Sequence, residues 1–297
     1  MGLRPWSAGI TANSTGISIR YGRSWNQVPD VLTRERAEYL ARRARQKRAV
    51  LFAQIALLAL LLLLWEAAAR CKWIDPFITS SPSRILATLQ NLYASGDLFR
   101  HLGVSCVETV VGFILGTLAG TAIAVALWWF PALRRVLDPY LVVLGSLPKT
   151  ALGPIFIVWI GAGPAAIIAM TLAISLIVTI LEMLNGFCAV DAGQISLMKT
   201  LGAGRLQTLC KLVLPANAGT FVNALKVNVG LSWVGVIMGE FLVSRAGLGY
   251  LIVYGSQVFK MDLVMATVIL LLIAAAAMYQ GVLLLEGAMK KHWGVSA

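Results

Sequence analysis

The chain has 297 residues, 59% of them hydrophobic and 13% charged, with a formal net charge of +12 and a mean hydropathy of +0.80. Soluble domains carry about 25% charged and 45–50% apolar residues, so composition argues against a soluble globular protein and for a polytopic helical membrane protein. The apolar runs are unbroken, as in ALLALLLLLW, which argues against an alternating outer-membrane barrel.

In chain order, residues 1–48 form a basic segment whose first thirty residues are rich in Gly, Ser, Asn and Thr and are expected to be poorly ordered. Ten of the 25 basic residues lie here: Arg4, Arg20, Arg23, Arg34, Arg36, Arg42, Arg43, Arg45, Lys47 and Arg48. Because the run abuts the first apolar stretch, it is read as a topology and lipid-contact signal, and nucleic acid is not an expected partner. It is too long for the n-region of a cleavable signal peptide, so the first helix is expected to stay in place.

A span needs about 20 apolar residues. Six stretches qualify: 49–69, 105–130, 140–160, 165–184, 220–243 and 263–285. The expected fold is an all-α, six-helix membrane bundle over 49–288 with a short tail, 289–297. With the basic N-terminus in the cytosol, the 130–139 loop (Arg134, Arg135), the 185–219 loop (Lys199, Arg205, Lys211) and the tail (Lys290, Lys291) fall inside. The 70–104 segment falls outside although it carries Arg70, Lys72, Arg84 and Arg100. Both termini are thus expected to be cytoplasmic. The outer 244–262 loop, with Gly247 and Gly249 ahead of Tyr250, Tyr254 and Phe259, predicts a short interfacial helix.

Within the second span, Gly112, Gly116 and Gly120 recur four apart, a small-residue packing stripe. In the third, Pro148 and Pro154 interrupt SLPKTALGPIFIVWIGAG. They mark either an ordinary proline kink or a break lining a pathway, with Lys149 available to an anion. Glu108 and Lys149 lie deep in their spans, whereas Glu66, Glu182, Lys226 and Glu240 are placed close enough to span ends to reach water. Pro148, Lys149, Pro154 and Glu240 are the pathway candidates.

Catalytic chemistry is not legible. The nearest text to a phosphate-binding loop, GSLPKT at 145–150, lacks its second glycine. No Ser-His-Asp set, HExxH or paired carboxylates stand out. Cys71, Cys106, Cys188 and Cys210 have no CxxC spacing, and His101 and His292 have no ligand-like companions, so neither metal nor cofactor is expected.

The 185–219 loop is the informative part. SLMKTL reads as a helix turn, Gly202 and Gly204 permit a bend, and GRLQTLCKLVL resumes a helix with Leu206, Leu209, Cys210 and Val213 on one face, ahead of Pro215. A short helix pair that is basic outside and apolar within suits docking to a partner. The segment resembles the cytoplasmic loop of permease subunits of ATP-binding-cassette importers, whose pattern is Glu-Ala-Ala, three residues, Gly, nine residues, Ile, one residue, Leu-Pro. Gly202 is followed after nine residues by Leu212, Val213, Leu214 and Pro215. Ser196, Leu197 and Met198 stand where the family has Glu-Ala-Ala, so the acidic start is missing. Further stretches, WE at 65–66, SPSRIL at 81–86, LDPY at 137–140, LPKTALGPIFIVWIGAGP at 147–164 and GEFLVSRAGLGYLI at 239–252, are similar to the nitrate/sulfonate/taurine-type subfamily.

The resemblance implies an inner-membrane permease that is not itself an enzyme. It works with a cytosolic ATPase, an external solute-binding protein (periplasmic or lipid-anchored) and a second permease copy. It also implies that Leu197, Met198, Lys199, Leu201, Gly202, Ala203, Gly204, Leu214 and Pro215 form the ATPase-coupling loop. The implied cargo is a small organic anion such as a sulfonate or taurine, or nitrate; a thiamine pyrimidine precursor is the alternative. The rival from another class is a secondary transporter, which should show internal repeats or deep ion-coupling residues.

Overall fold

A computed structural model describes residues 30–293, and every regular element among them is a helix. The N-terminal stretch expected to be poorly ordered lies outside the described residues. The elements are α1 (Asp30–Arg70), α2 (Pro76–Thr79), α3 (Pro82–Ala94), α4 (Asp97–Trp129), α5 (Pro131–Ser146), α6 (Gly153–Ile160), α7 (Pro164–Cys188), α8 (Ala192–Thr200), α9 (Arg205–Thr208), α10 (Leu214–Ala216), α11 (Ala218–Val243), α12 (Leu248–Gln257) and α13 (Met261–Trp293). The chain divides into two compact units, Met1–Leu63 and Leu64–Ala297. The described part of the first is residues 30–63 of α1, which hold most of the expected first span, and the end of α1 belongs to the second. The second unit holds all other helices.

Among the described residues, five helices are long and apolar enough to cross a membrane: α4, α7, α11, α13 and the Arg36–Arg70 part of α1. The remaining expected span is a bent pair. α5 and the stretch Lys149–Ile160 meet at 90°, far more than a proline kink. Of the two readings of Pro148 and Pro154, an ordinary kink and a break, the bend is a break, and its cause is local. Leu147, restricted by the following proline, is extended (φ −64°, ψ 135°), and Pro148 follows at φ −69°, ψ 91°. A 3₁₀ turn, Lys149–Leu152, leads into α6, where Pro154 sits in the first turn and starts the helix instead of breaking it.

α4, α7 and α11 build the centre of the bundle. The glycine stripe of α4 meets a stripe of hydroxyl residues on α7. A Cβ on Gly112 would fall 2.5 Å from Thr171 Cγ2, and one on Gly120 would fall 2.7 Å from Thr179 Cβ; Ser175 lies against Gly116 in the same way. The hydroxyls are not wasted polar groups. Thr171, Ser175 and Thr179 each donate to the carbonyl four residues back, at 2.9, 2.9 and 2.8 Å. The bond satisfies them in a dry interior and keeps their small side chains against the glycines. On the other side, α11 brings Gly235 to Thr171 and Gly239 to Ile167. Asn228 of α11, buried between the three helices, donates to Thr117 Oγ1 at 3.1 Å and Thr179 Oγ1 at 2.6 Å.

These approaches leave no space for a methyl group. A Cβ on Gly235 would lie 2.5 Å from the backbone Cα of Thr171, whereas one on Gly230, in the same helix, would meet nothing within 4 Å. Overpacking of this kind costs about 1–3 kcal/mol. Gly235→Ala is expected to lower the melting temperature of the purified protein by roughly 5 °C, and Gly230→Ala to leave it unchanged or raise it. Equal melting of the two variants would refute this packing.

Outside the three-helix centre, polar residues tie the short helices down. Glu66 accepts from Arg70 Nε at 2.7 Å, and from Ser83 N at 3.0 Å and Ser83 Oγ at 2.9 Å. Asp262 accepts from Ser80 Oγ at 2.6 Å and Arg84 Nη2 at 2.7 Å. Lys226 pairs with Glu286 at 2.8 Å, joining α11 to α13.

Candidate functional site

Three places hold the residues that the sequence singles out. The first is the segment from α8 to α10. Asp191 caps α8, its side chain accepting from Gln194 N at 3.0 Å. The helix ends in a left-handed turn: Gly202 has φ +76°, Gly202 N donates to Lys199 O and Ala203 N to Met198 O, both at 2.9 Å. This paired bonding is the glycine-closed helix end that satisfies the last carbonyls. The turn leaves Leu197 and Leu201 59% and 73% exposed, with Lys199, Gly202 and Gly204 also exposed and Met198 and Ala203 half-buried. Gly204 N donates to Gln207 Oε1 at 3.0 Å and opens α9.

Beyond α9 the apolar face differs from expectation. Leu209 and Val213 are buried against Leu127, Leu184 and Phe187, but Leu206 and Cys210 are exposed. Residues Leu209–Val213 form a single π turn, closed by Leu214 N donating to Leu209 O. That wider turn nearly stacks residues four apart and swings 206 and 210 outward. Leu214, half-buried, and Pro215, exposed, lie in α10, one residue short of α11.

The second place is the elbow after α5. Lys149 Nζ donates to Gly145 O at 2.8 Å, so the cation caps the broken end of α5. It lines an otherwise apolar hollow of about 290 Å³ with Leu147, Phe156, Leu172 and Leu176.

The third is centred on Glu240, and here the expectation of a water-reaching carboxylate is corrected. Glu240 is 1% exposed. Ser105 Oγ donates to its Oε1 at 2.5 Å, and Gly249 N donates to its Oε2. Tyr250 N and the Glu108 side chain also hydrogen-bond it. Ser105 Oγ in turn accepts from Leu248 N at 2.7 Å, and Gly247 N donates to His101 Nδ1 at 3.0 Å. The chain folds back because Gly247, at φ +120°, takes a backbone angle that other residues avoid. The first N–H groups of α12 thus point at a buried carboxylate and a hydroxyl, the polarity a helix N-terminus favours. α12 is the short helix expected in the outer loop, but it is packed inward: Leu248 is buried with Trp233 and Ile237. His101 stacks on Tyr250, which stacks on Tyr254, with centroids 5.7 and 5.9 Å apart.

The structure does not gather the four pathway candidates. The contacts of Glu240 lie with α4 and α12, and Pro148, Lys149 and Pro154 lie at the elbow. Ser105 and His101 were missed from sequence; the only signal was the paired glycines of SRAGLG. No group of three or more potential metal ligands exists among the described residues.

A bundle of long apolar helices, with one bent helix pair and an exposed helical turn carrying bare leucines, is the architecture of a polytopic membrane protein. The chain belongs to the family of binding-protein-dependent transport system inner membrane components, whose model matches residues 112–291, and it is a permease subunit of an ATP-binding-cassette importer. It is 26% identical over 255 residues to the Bacillus subtilis permease SsuC, named for aliphatic sulfonates transport, covering 86% of this chain and 92% of that protein. It is 24% identical to the taurine transport system permease protein TauC of Escherichia coli, covering 78% and 86%. It is 27% identical to the formylaminopyrimidine transport permease protein ThiX of Halalkalibacterium halodurans, covering 64% and 76%. Among solved structures, an inward-facing MetNI methionine ABC transporter chain matches with a TM-score of 0.57 at 20% identity, over 66% of this chain and 97% of that one. That likeness establishes a shared fold.

Proposed function

We propose that this permease carries a small organic anion, of the sulfonate or taurine class, and takes its free energy from a separate cytosolic ATPase that grips the α8–α9 turn. The observation that carries the reading is the pair of bare leucines, Leu197 and Leu201, on a helix closed by Gly202. Many of the other exposed apolar side chains belong to the long apolar helices, but these two sit on a polar, basic loop. Apolar anchors of this kind fit a groove on a partner. Met198, Lys199, Ala203 and Gly204 complete the turn, and Leu214 and Pro215 connect it to α11. A solute-binding protein delivers the cargo at the opposite end, and a second copy of the permease completes the path.

The sulfonate and taurine assignment rests on the SsuC and TauC likenesses. The ThiX likeness supports the second reading, a formylaminopyrimidine-type cargo. Proteoliposomes holding the permease with its ATPase and binding protein decide between them. Saturable uptake of taurine or an alkanesulfonate is expected. Uptake of a formylaminopyrimidine alone would replace this reading by the second.

The charge pattern supports an arrangement with both termini and the α8–α10 segment in the cytosol. A variant keeping exposed Cys210 as its sole cysteine is expected to resist a membrane-impermeant maleimide on intact cells and to react after lysis. A sole cysteine at exposed Gln257 is expected to react on intact cells. The reverse pattern would invert the topology.

A further inference from the structure

A second cavity, of about 330 Å³, opens where the ends of α4 and α7 meet the start of α5 and the α8–α9 turn. Its walls include Trp128 and Phe187, and three cations line it: Arg134, Lys199 and Arg205. None of the residues that line it is acidic. Arg134 Nη1 reaches across to Cys188 Sγ at 2.6 Å, and its nearest carboxylate, Asp138, stands 3.9 Å from Nε. Arg205 is laid over the Trp129 ring, 5.6 Å from its centroid, which holds its guanidinium in place. Three like charges gathered around a small hollow repel one another, and an anion seated among them relieves that repulsion.

We propose that this cavity binds a phosphate group, that of an anionic phospholipid headgroup. Two guanidinium forks match the oxygens of a phosphate, and a lysine adds a point charge. The position suits a lipid. Trp128 and Trp129 sit at the end of an apolar span, the level at which tryptophans mark the membrane interface. Leu133, Val136 and Tyr140 on the adjoining α5 are exposed and offer an apolar track for an acyl chain. Basic pockets between membrane helices recognise anionic headgroups through the same chemistry. A soluble phosphate compound would use the same donors, so the test separates the two sources.

The test uses the full chain purified in detergent, with phosphatidylglycerol, phosphatidylcholine or inorganic phosphate as probes. Bound lipid is counted by native mass spectrometry, and stability is read by thermal melting. Wild type is expected to retain phosphatidylglycerol over phosphatidylcholine. The double variant Arg134→Gln/Arg205→Gln is expected to lose that retention by about tenfold or more, while Arg134→Lys/Arg205→Lys recovers part of it. If inorganic phosphate displaces the lipid or stabilises the protein by itself, the phosphate site stands and its source is soluble. Equal retention of the two lipids by wild type, or unchanged phosphatidylglycerol retention in a monodisperse Gln double variant, overturns the proposal. If that variant fails to fold, the wild-type lipid comparison decides alone. Loss of ATPase copurification with lipid retention intact would assign the cavity to a protein carboxylate and overturn it as well.

Discussion

Glu240→Ala is expected to be the most damaging single substitution in the described structure. The carboxylate accepts from Ser105 Oγ and the N–H groups of Gly249 and Tyr250, all in a site that water does not reach. Truncation leaves these donors unpaired, and each buried unsatisfied group costs about 1–3 kcal/mol. A total of several kcal/mol corresponds to a fall in melting temperature of roughly 10 °C or more for a chain of this size. Glu240→Gln can keep its amide oxygen on Gly249 N and turn its NH₂ to Ser105 Oγ, whose hydroxyl rotates away to accept it, so its loss should be well under that of the alanine variant. Melting of the purified variants followed by fluorescence-detected gel filtration checks both. An alanine variant melting within about 2 °C of wild type would show that the carboxylate does not hold α12 in place.

Gly202→Asp is expected to abolish uptake while leaving the permease folded and inserted. A Cβ at 202 meets nothing within 4 Å, so there is no clash to unfold the chain. The φ of +76° costs a non-glycine residue about 1 kcal/mol, and aspartate tolerates that region better than most. The damage comes from the new charge beside Leu201, which the proposed ATPase contact would bury without a partner. An unpaired charge in an interface core costs several kcal/mol, which at 1.4 kcal/mol per tenfold weakens association by about 100-fold or more. Gly202→Ala carries the strain without the charge and is expected to keep most of the uptake. Copurification of the ATPase at wild-type levels with the Asp variant, together with normal transport, would remove the α8–α9 turn from the coupling contact.

Legibility from sequence followed how local each cause was. The spacing of Gly112, Gly116 and Gly120 announced a close helix contact because a four-residue repeat is a property of one helix. What it touches, the Thr171, Ser175 and Thr179 row, belongs to another helix and needed the structure. Pro148 and Pro154 were visible as disturbances, yet proline restrains only its own residue and the one before it. A 90° elbow depends on how α6 then packs, so the sequence left a kink and a break as alternatives. The helix, bend and second helix around Gly202 were legible from spacing and glycines, while the π turn that rotates Leu206 and Cys210 outward leaves no mark in a 3.6-residue pattern. Glu240 was misplaced for a different reason. Hydropathy locates a residue along a span but not the direction of its side chain, and its partners lie 135 residues upstream and nine residues downstream.

The row of glycines on α4 set into the hydroxyl row of α7 also has a mechanical meaning. With backbone pressed on short side chains, and Asn228 pinned across both helices, the pair has no slack in which to slide. Packed contacts of this kind shift as blocks rather than deform. The places where this part of the chain is free to bend are the joints on either side of α5, at Phe130–Pro131 and Leu147–Pro148, where regular helix hydrogen bonding is interrupted. In this molecule α4 and α7 are the frame, and α5 is the lever hung between two proline pivots.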